Sequence, residues 1–144
     1  RTSFIGWVDP EDIPVYLRAA DVFIGPSRTG HDGWIEAQGL TFLEAMGADI
    51  PVIATRSGGI VDAVLDGETG LLVDERAPEQ IAHAVERLIA DPAFAAELSA
   101  AAATQVRREF SREASAARFS DLFSTLFTAR QLLARRRPGS AEAS

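Results

Sequence analysis

The sequence predicts an α/β protein: a parallel sheet of about four strands, helices on both faces of the sheet, and a helical C-terminal third. Three observations support this prediction. Short apolar segments alternate with short helical segments up to residue 77, and this order is typical of parallel sheets because each crossover needs a long connection. Residues 78–137 then follow a helical pattern. Finally, 144 residues with 47% apolar side chains suffice for one core and are too few for two ordinary domains.

The composition excludes several functional classes. A formal net charge of −7 argues against nucleic acid as a partner, because binding a phosphate backbone needs a clustered basic face. There is no cysteine, so neither a disulfide framework nor a thiolate metal site can form. No apolar run approaches the ~20 residues that span a bilayer. We therefore expect a cytoplasmic protein, with the inner face of the membrane as the alternative location.

The first predicted strand is Thr2–Val8, a mostly apolar segment that we expect to be buried. An acidic helix start follows at Asp9–Asp12, and apolar residues then recur at helical spacing up to a second strand, Asp21–Gly25. Residues 26–35 are rich in turn formers. They predict a surface loop that is long enough to reach over a ligand.

The next predicted helix, Gly39–Ala48, is apolar nearly all round, which indicates a buried helix. Glu44 would then be a charge that needs a partner, since an unpaired buried carboxylate is costly enough to become neutral. A solvent-facing Glu44 is the alternative. The sheet is completed by a third strand at Pro51–Thr55, a turn at Ser57–Gly59, a short helix at Ile60–Leu65 and a fourth strand at Gly70–Val73.

The C-terminal third contains helix breaks and one apolar stripe. Asp91-Pro92 interrupts the helical run, and Ser111 is the predicted N-cap of the last helix. The stripe on that helix needs a partner and consists of Phe119, Leu122, Phe123, Leu126 and Phe127. The basic end of the helix either complements its dipole, which we favour, or contacts acidic lipid heads. We place the domain at residues 1–137 and a disordered tail at 138–144.

The segment Glu36–Pro51 carries the candidate site. Gly39 has no side chain to block a ligand, and a helix beginning at Gly39 or Leu40 would present free N–H groups and the positive end of its dipole, which favour an anion. Glu36 precedes this helix start and Glu44 lies about one turn inside it. Carboxylates are good acceptors for sugar hydroxyls. The pattern therefore predicts a sugar nucleotide as the ligand.

Simpler interpretations exist for each of these residues. Glu36 alone would stabilise a helix start by roughly 0.3–1 kcal/mol as a negative charge. Gly39 would serve equally well as an ordinary loop glycine, and for Gly58-Gly59 we favour a backbone turn over a ligand contact. His31 is predicted to be a solvated loop residue.

Other chemistries lack their motifs. The chain contains no G-x-G-x-x-G after a strand, no Walker A loop and no H-E-x-x-H. The segment Gly25–Thr29 misses the nucleophile elbow G-x-S-x-G at its last position. Dehydrogenase, NTPase and hydrolase functions are therefore disfavoured.

Several ordered motifs together resemble a known family. They are Ala20–Ser27, Glu36-x7-Glu44 with Ala45-Met46, Pro51-Val52, Gly58-Gly59, and Asp66–Val73. Their order and spacing are similar to those of family 4 retaining glycosyltransferases, over about residues 4–125. The resemblance covers the last two thirds of that family's C-terminal, donor-binding domain. It implies the GT-B architecture of two Rossmann-like domains and a role in bacterial polysaccharide or glycolipid synthesis.

The resemblance also implies roles for individual residues. Glu36 would contact the donor sugar at the reaction centre, and Glu44 would bind the nucleotide ribose. The diphosphate would bind the backbone of Gly39, Leu40 and Thr41, while the base would meet Trp7 and Val8. The donor would be a UDP- or GDP-sugar, transferred with retention of configuration and without a metal or other cofactor.

Two positions depart from the family pattern: Asp49 stands where glycine is usual, and Asp62 where glutamate is usual. A left-handed Asp49 would cost on the order of 1 kcal/mol relative to glycine, unless the helix end shifts to Gly47. The family's paired Arg and Lys and its acceptor domain would precede Arg1. We therefore expect the chain to be inactive alone and to work with the rest of its enzyme. The alternative function is a non-catalytic sugar-nucleotide-binding or protein-interaction module of the same fold. For the glycosyltransferase itself, the expected partners are the nucleotide sugar and the missing N-terminal domain, and peripheral contact with a membrane is a further candidate.

The resemblance finally makes a topological prediction. In the doubly wound strand order the strands at Phe4, Val22, Val52 and Leu71 would be the third to sixth, and strands one and two would be missing. The strand at Val22 would then expose an unpaired edge. Either the Phe4 strand moves beside the Val22 strand, or the isolated chain self-associates.

Overall fold

The computed structural model describes residues 1–135, with side chains described up to residue 130. The elements are α1 (Ile13–Arg18), β1 (Phe23–Gly25), α2 (Leu40–Gly47), β2 (Val52–Thr55), α3 (Ile60–Ala63), β3 (Leu71–Val73), α4 (Pro78–Ala90), α5 (Pro92–Gln105), a π-helical turn (Val106–Phe110) and α6 (Arg112–Arg135). The predicted α/β class is confirmed. Residues 1–108 form one compact unit, and residues 109–135 belong to a second. The predicted tail, 138–144, lies outside the described residues.

The sheet has three parallel strands in the order β1-β2-β3. In register, Phe23 lies opposite Val52, and Ile53 lies opposite Leu71. All four residues of the central strand β2 are buried. Successive side chains of a strand point to opposite faces, so β2 needs a cover on both sides.

Helices supply that cover on both faces, as predicted. On one face, Val52 and Ala54 pack with residues of α2 and α3, and Ala102 of α5 joins this cluster. On the other face, Ile53 packs with Leu71 and Val73 and with α4, and Leu98 of α5 joins. The sheet is therefore the middle layer of the first unit, with α5 contributing to both clusters.

The predicted strand at Thr2–Val8 is wrong. This segment forms no strand, and the side chains of Phe4 and Trp7 are 97% and 87% exposed. An apolar segment becomes a strand only where its backbone finds a partner, and residues 1–8 pair with no strand. The described sheet therefore has three strands rather than four, and the Phe4 segment does not move beside β1.

The sequence predicted either a left-handed Asp49 or a helix end at Gly47, and the end of α2 shows both. The last helical residue is Gly47, and Asp49 adopts the left-handed conformation with φ +59°. The N–H groups of Ile50 and Asp49 donate to the carbonyl oxygens of Ala45 and Met46, both at 3.3 Å. These bonds close the helix in the manner of a Schellman motif.

The C-terminal helices follow their predicted signals. Asp91 Oδ1 accepts a 3.0 Å hydrogen bond from the Phe94 N–H at the start of α5. Ser111 Oγ accepts one of 3.1 Å from the Ala114 N–H, which confirms the N-cap of α6. The predicted stripe on α6 is exposed, each member by more than half: Phe119, Leu122, Phe123, Leu126 and Phe127. Among the described residues, no helix is both long and apolar enough to cross a bilayer.

Candidate functional site

The candidate site lies at the carboxyl ends of the three strands, the edge at which open α/β sheets bind ligands. The loop after β1 runs from residue 26 to residue 39. Hydrogen bonds tie it to the end of β2 and to the loop that follows β2. Thr55 Oγ1, at the end of β2, donates to the Ser27 carbonyl oxygen, and the Gly59 N–H donates to the Glu36 carbonyl oxygen. The loops after β1 and β2 are thus held together at one edge of the sheet.

Glu36 is half-buried immediately before α2. Its Oε1 accepts a 3.1 Å hydrogen bond from the Gly39 N–H. Gly39 is the N-cap of α2, with φ +67°, a conformation that glycine adopts without strain. The cap offers no side-chain acceptor, so the N–H groups of Leu40 and Thr41 have no partner within the helix. The predicted helix start is therefore present, with one carboxylate already bound at its edge.

The absent side chain of Gly39 faces the core, and the prediction that it leaves room for a ligand is wrong. A Cβ at Gly39 would lie 2.5 Å from Cδ2 of Phe42. A Cβ at Gly25, at the end of β1, would lie 2.2 Å from Cζ of the same ring. Phe42 is 2% exposed and packs edge-to-face on Phe23. The two glycines thus admit the ring that fixes the start of α2 against the end of β1.

Gly58-Gly59 forms a turn, as favoured from the sequence, and the structure adds a contact that the sequence does not reveal. A Cβ at Gly58, whose φ is +52°, would lie 2.0 Å from the Glu36 carbonyl oxygen. A Cβ at Gly59 would lie 1.9 Å from the Ala37 carbonyl oxygen. Only glycine allows the backbone after β2 to approach so closely. The double glycine therefore holds the backbone that carries Glu36.

Glu44 is exposed, and the prediction of a buried carboxylate is wrong. The helix α2 has a solvent face formed by Leu40, Thr41, Glu44 and Gly47, positions that lie on one side of a helix. Glu44 needs no buried partner because it stays in water. It borders a cavity of about 220 Å³ between α1 and α2, lined by Pro10, Ile13, Pro14, Leu17, Arg18, Glu44, Gly47 and Ala48.

The predicted site residues fall into two groups. Glu36, Gly39, Leu40, Thr41 and Glu44 share the segment around the start of α2. Trp7 and Val8, the candidates for the nucleotide base, lie before α1 in the segment that forms no strand. Within residues 1–135, no group of three or more His, Asp or Glu side chains is arranged to hold a metal ion.

Two residues at this edge escaped the sequence analysis, Thr29 and Glu75. Glu75 follows β3, and its carboxylate accepts hydrogen bonds from the Thr29 N–H (2.9 Å) and from Thr29 Oγ1 (2.8 Å). The Ser57 hydroxyl, and then the two Thr29 groups, lower the pKa of Glu75. The pair is separated by 46 positions, and no local pattern joins such residues. A carboxylate just past the end of a parallel strand is the one sequence signal that could have drawn attention to Glu75.

Comparison with known proteins gives consistent matches. Residues 1–105 match the family described as glycosyl transferases group 1. A GDP-mannose-dependent alpha-(1-6)-phosphatidylinositol monomannoside mannosyltransferase from Mycobacterium tuberculosis is 38% identical over 122 residues. That match covers 84% of this chain and 32% of the relative. The chain thus spans about a third of the length of this relative.

Two solved structures are similar in fold and sequence. Sucrose-phosphate synthase from Thermosynechococcus elongatus superposes with a TM-score of 0.74 at 37% identity, over 88% of this chain and 30% of that protein. The C-terminal domain of a glycosyl transferase group 1 family protein from Francisella tularensis superposes with a TM-score of 0.67 at 31% identity, over 76% of this chain and 53% of that domain.

Proposed function

The chain belongs to the glycosyl transferases group 1 family, and from this premise we propose that it is the donor-binding part of a retaining glycosyltransferase. The reaction would move a sugar from a UDP- or GDP-sugar to an acceptor. One observation carries the proposal: Glu36 is fixed by the Gly39 N–H at the start of α2, at the carboxyl edge of the sheet. This bond places a carboxylate beside a helix start of the kind that favours anions.

The helix start would hold the diphosphate of the donor. The N–H groups of Leu40 and Thr41 and the positive end of the helix dipole favour a negative group at this position. They would also stabilise the charge that develops on the diphosphate as it leaves. The Gly39 N–H is occupied by Glu36 Oε1, so it contributes by orienting that carboxylate.

The two glutamates would bind the two ends of the donor. Glu36 keeps its second oxygen, Oε2, for the sugar at the reaction centre. Glu44 lies about 6 Å along the helix axis from Leu40, at about 1.5 Å per residue. Its exposed carboxylate would accept hydrogen bonds from the ribose hydroxyls. Trp7 and Val8 remain the proposed contacts of the base.

The description of one relative indicates which sugar donors should be tested first. The mycobacterial relative is described as GDP-mannose-dependent, so GDP-mannose is the first donor and a UDP-hexose the second. This chain spans 32% of that relative. We propose that residues 1–144 alone do not turn over and that the acceptor binds to the remainder of the full-length enzyme.

The test is a pair of substitutions in the full-length protein. Glu36→Gln should abolish most turnover and leave the Kd of the nucleoside diphosphate nearly unchanged, because the helix start is intact. Glu44→Ala should raise the Kd of the nucleotide at least about tenfold, since a hydrogen bond to a charged group contributes about 1.5–3 kcal/mol. Transfer assays give kcat and calorimetry gives Kd. Glu86→Gln and Glu86→Ala, on the exposed face of α4, are matched controls.

The outcomes separate two functions. Wild-type kcat in Glu36→Gln would show that the catalytic assignment is wrong. The Glu36–Gly39 hydrogen bond would also stabilise α2 in a protein that performs no chemistry, which favours the non-catalytic nucleotide-binding module as the second candidate. Binding of GDP or UDP by the full-length protein without turnover of any nucleotide sugar would support that candidate.

A further inference from the structure

The loop that carries Glu36 is anchored to the end of β3 by Glu75. Resting on the proposed function, we propose that Glu75 is a positioning residue: by holding Thr29 it fixes the 26–39 loop and thereby the placement of Glu36 for sugar transfer. Glu75 would act through the loop and would not touch the donor.

The contact between Glu75 and Thr29 fixes both position and orientation. Each carboxylate oxygen accepts one hydrogen bond from the same residue, Oε2 from the Thr29 N–H at 2.9 Å and Oε1 from Thr29 Oγ1 at 2.8 Å. Two bonds to one partner restrain its rotation as well as its distance. Hydrogen bonds to an ionised acceptor are also about twice as strong as neutral ones.

The position of Thr29 in the loop explains why its contact with Glu75 would restrain the turn that follows. Residues 30–34 close on themselves, because the Gly30 N–H donates to the Trp34 carbonyl oxygen at 2.7 Å. This turn is followed by Glu36, whose carbonyl oxygen is held by Gly59. Thr29 therefore anchors the N-terminal end of this turn, while Glu36 anchors its C-terminal end. Among the contacts within residues 1–130, releasing Thr29 would leave residues 30–34 tied to the sheet through their neighbours in the chain.

Glu75 lies in the short connection between β3 and α4. It lies between the end of β3 and buried Ala77, next to Arg76, whose φ is +61°. The Ser57 hydroxyl, which has no hydrogen-bond partner among the described residues, lowers the pKa of Glu75. Ser57 directly precedes the double glycine that holds Glu36. Through Thr29, Glu75 thus connects the loop after β1 to the segment that follows β3.

A positioning role predicts that substitutions of Glu75 affect kcat more than they affect nucleotide affinity. Small displacements of a reacting group are costly to rate, on the order of a hundredfold for about 1 Å. Nucleotide binding to the Leu40 and Thr41 N–H groups does not depend on Thr29. Loss of the anchor should therefore lower kcat and leave nucleotide affinity in place.

The experiment compares Glu75→Ala, Glu75→Gln and Thr29→Val in the full-length protein, with Glu86→Ala as the control. Glu75→Ala should lower kcat at least about tenfold, with a Kd for GDP or UDP within about twofold of wild type. Glu75→Gln should restore most of kcat, because its amide can accept from the Thr29 N–H and donate to Thr29 Oγ1. Thr29→Val keeps the backbone N–H but loses the hydroxyl, so its kcat should lie between those of Glu75→Ala and wild type. Trypsin should cleave after Arg28 faster in Glu75→Ala than in Glu86→Ala.

Three results would overturn the proposal. The first is an unchanged kcat in Glu75→Ala. The second is equal inactivity of Glu75→Ala and Glu75→Gln, which would indicate that Glu75 contacts the ligand directly. The third is a parallel loss of kcat and nucleotide affinity. If Glu75→Ala does not fold, Thr29→Val provides the test: the proposal requires a lower kcat with an unchanged Kd for GDP or UDP. A wild-type protein that transfers no sugar would refute the proposed function, whereas the rate of cleavage after Arg28 still reports whether Glu75 anchors the loop.

Discussion

The N–H of Gly59 donates a 3.0 Å hydrogen bond to the carbonyl oxygen of Glu36. This bond crosses from the loop after β2 to the loop after β1, and it holds the backbone of the residue to which we assign catalysis. The approach is close because neither Gly58 nor Gly59 has a side chain in the way. The double glycine is thus part of the support of the candidate site.

Gly59→Ala should disturb both stability and activity. The new Cβ would lie 1.9 Å from the Ala37 carbonyl oxygen, so the two loops must separate. We expect a loss of about 1–3 kcal/mol in the free energy of unfolding, measured by thermal or urea denaturation, together with a lower kcat in the full-length protein. Gly47→Ala is the control, since a Cβ there meets only Val106 Cγ1 at 3.8 Å. Equal melting of Gly59→Ala and wild type would contradict the packing role.

The sequence predicted well where local chemistry decides the structure. The start of α2 follows from Gly39, and the break between α4 and α5 follows from Pro92, because glycine and proline restrict or permit backbone conformations by themselves. Helices on both faces followed from the alternation of strand and helix segments. These features need no knowledge of distant residues.

The prediction failed where a distant partner decides. The apolar segment Thr2–Val8 has the composition of a strand, but a strand also requires a neighbour, and Phe4 is 97% exposed. Glu44 was expected in a buried helix, yet α2 keeps one face in water. The Glu75–Thr29 contact could not be predicted at all, because its two residues meet only after the sheet has formed.

Asp49→Gly should stabilise the protein. Asp49 adopts φ +59° at the end of α2, where a side chain costs about 1 kcal/mol relative to glycine. Part of this gain is offset by the greater freedom of glycine in the unfolded chain, about 0.4–1 kcal/mol. We therefore expect a rise in the unfolding free energy of at most about 0.6 kcal/mol by denaturant titration. Asp49→Ala separates this effect from the loss of one negative charge, since alanine has no preference for positive φ. Equal stabilisation by both variants would assign the gain to charge.

The free edge of β1 predicts that residues 1–144 expressed alone self-associate. Within the described residues β1 pairs with a strand on one side only. The Phe23 N–H donates to the Pro51 carbonyl oxygen, so by the alternation of a parallel ladder Ile24 directs its N–H and carbonyl groups to the open side. An open strand edge is a template for pairing with another chain. The Phe4 segment does not cover this edge, because it forms no strand.

Lysine on an edge strand discourages such pairing, so Ile24→Lys should shift the chain toward monomer in sedimentation velocity measured over a concentration series. Ile89→Lys makes the same exchange at a residue that is 73% exposed on α4, away from the sheet edge, and should leave association unchanged. If both lysine variants reduce association equally, apolar surface in general rather than the β1 edge drives it. A wild-type chain that stays monomeric at every concentration and unfolds in one cooperative transition would show that the open edge is tolerated.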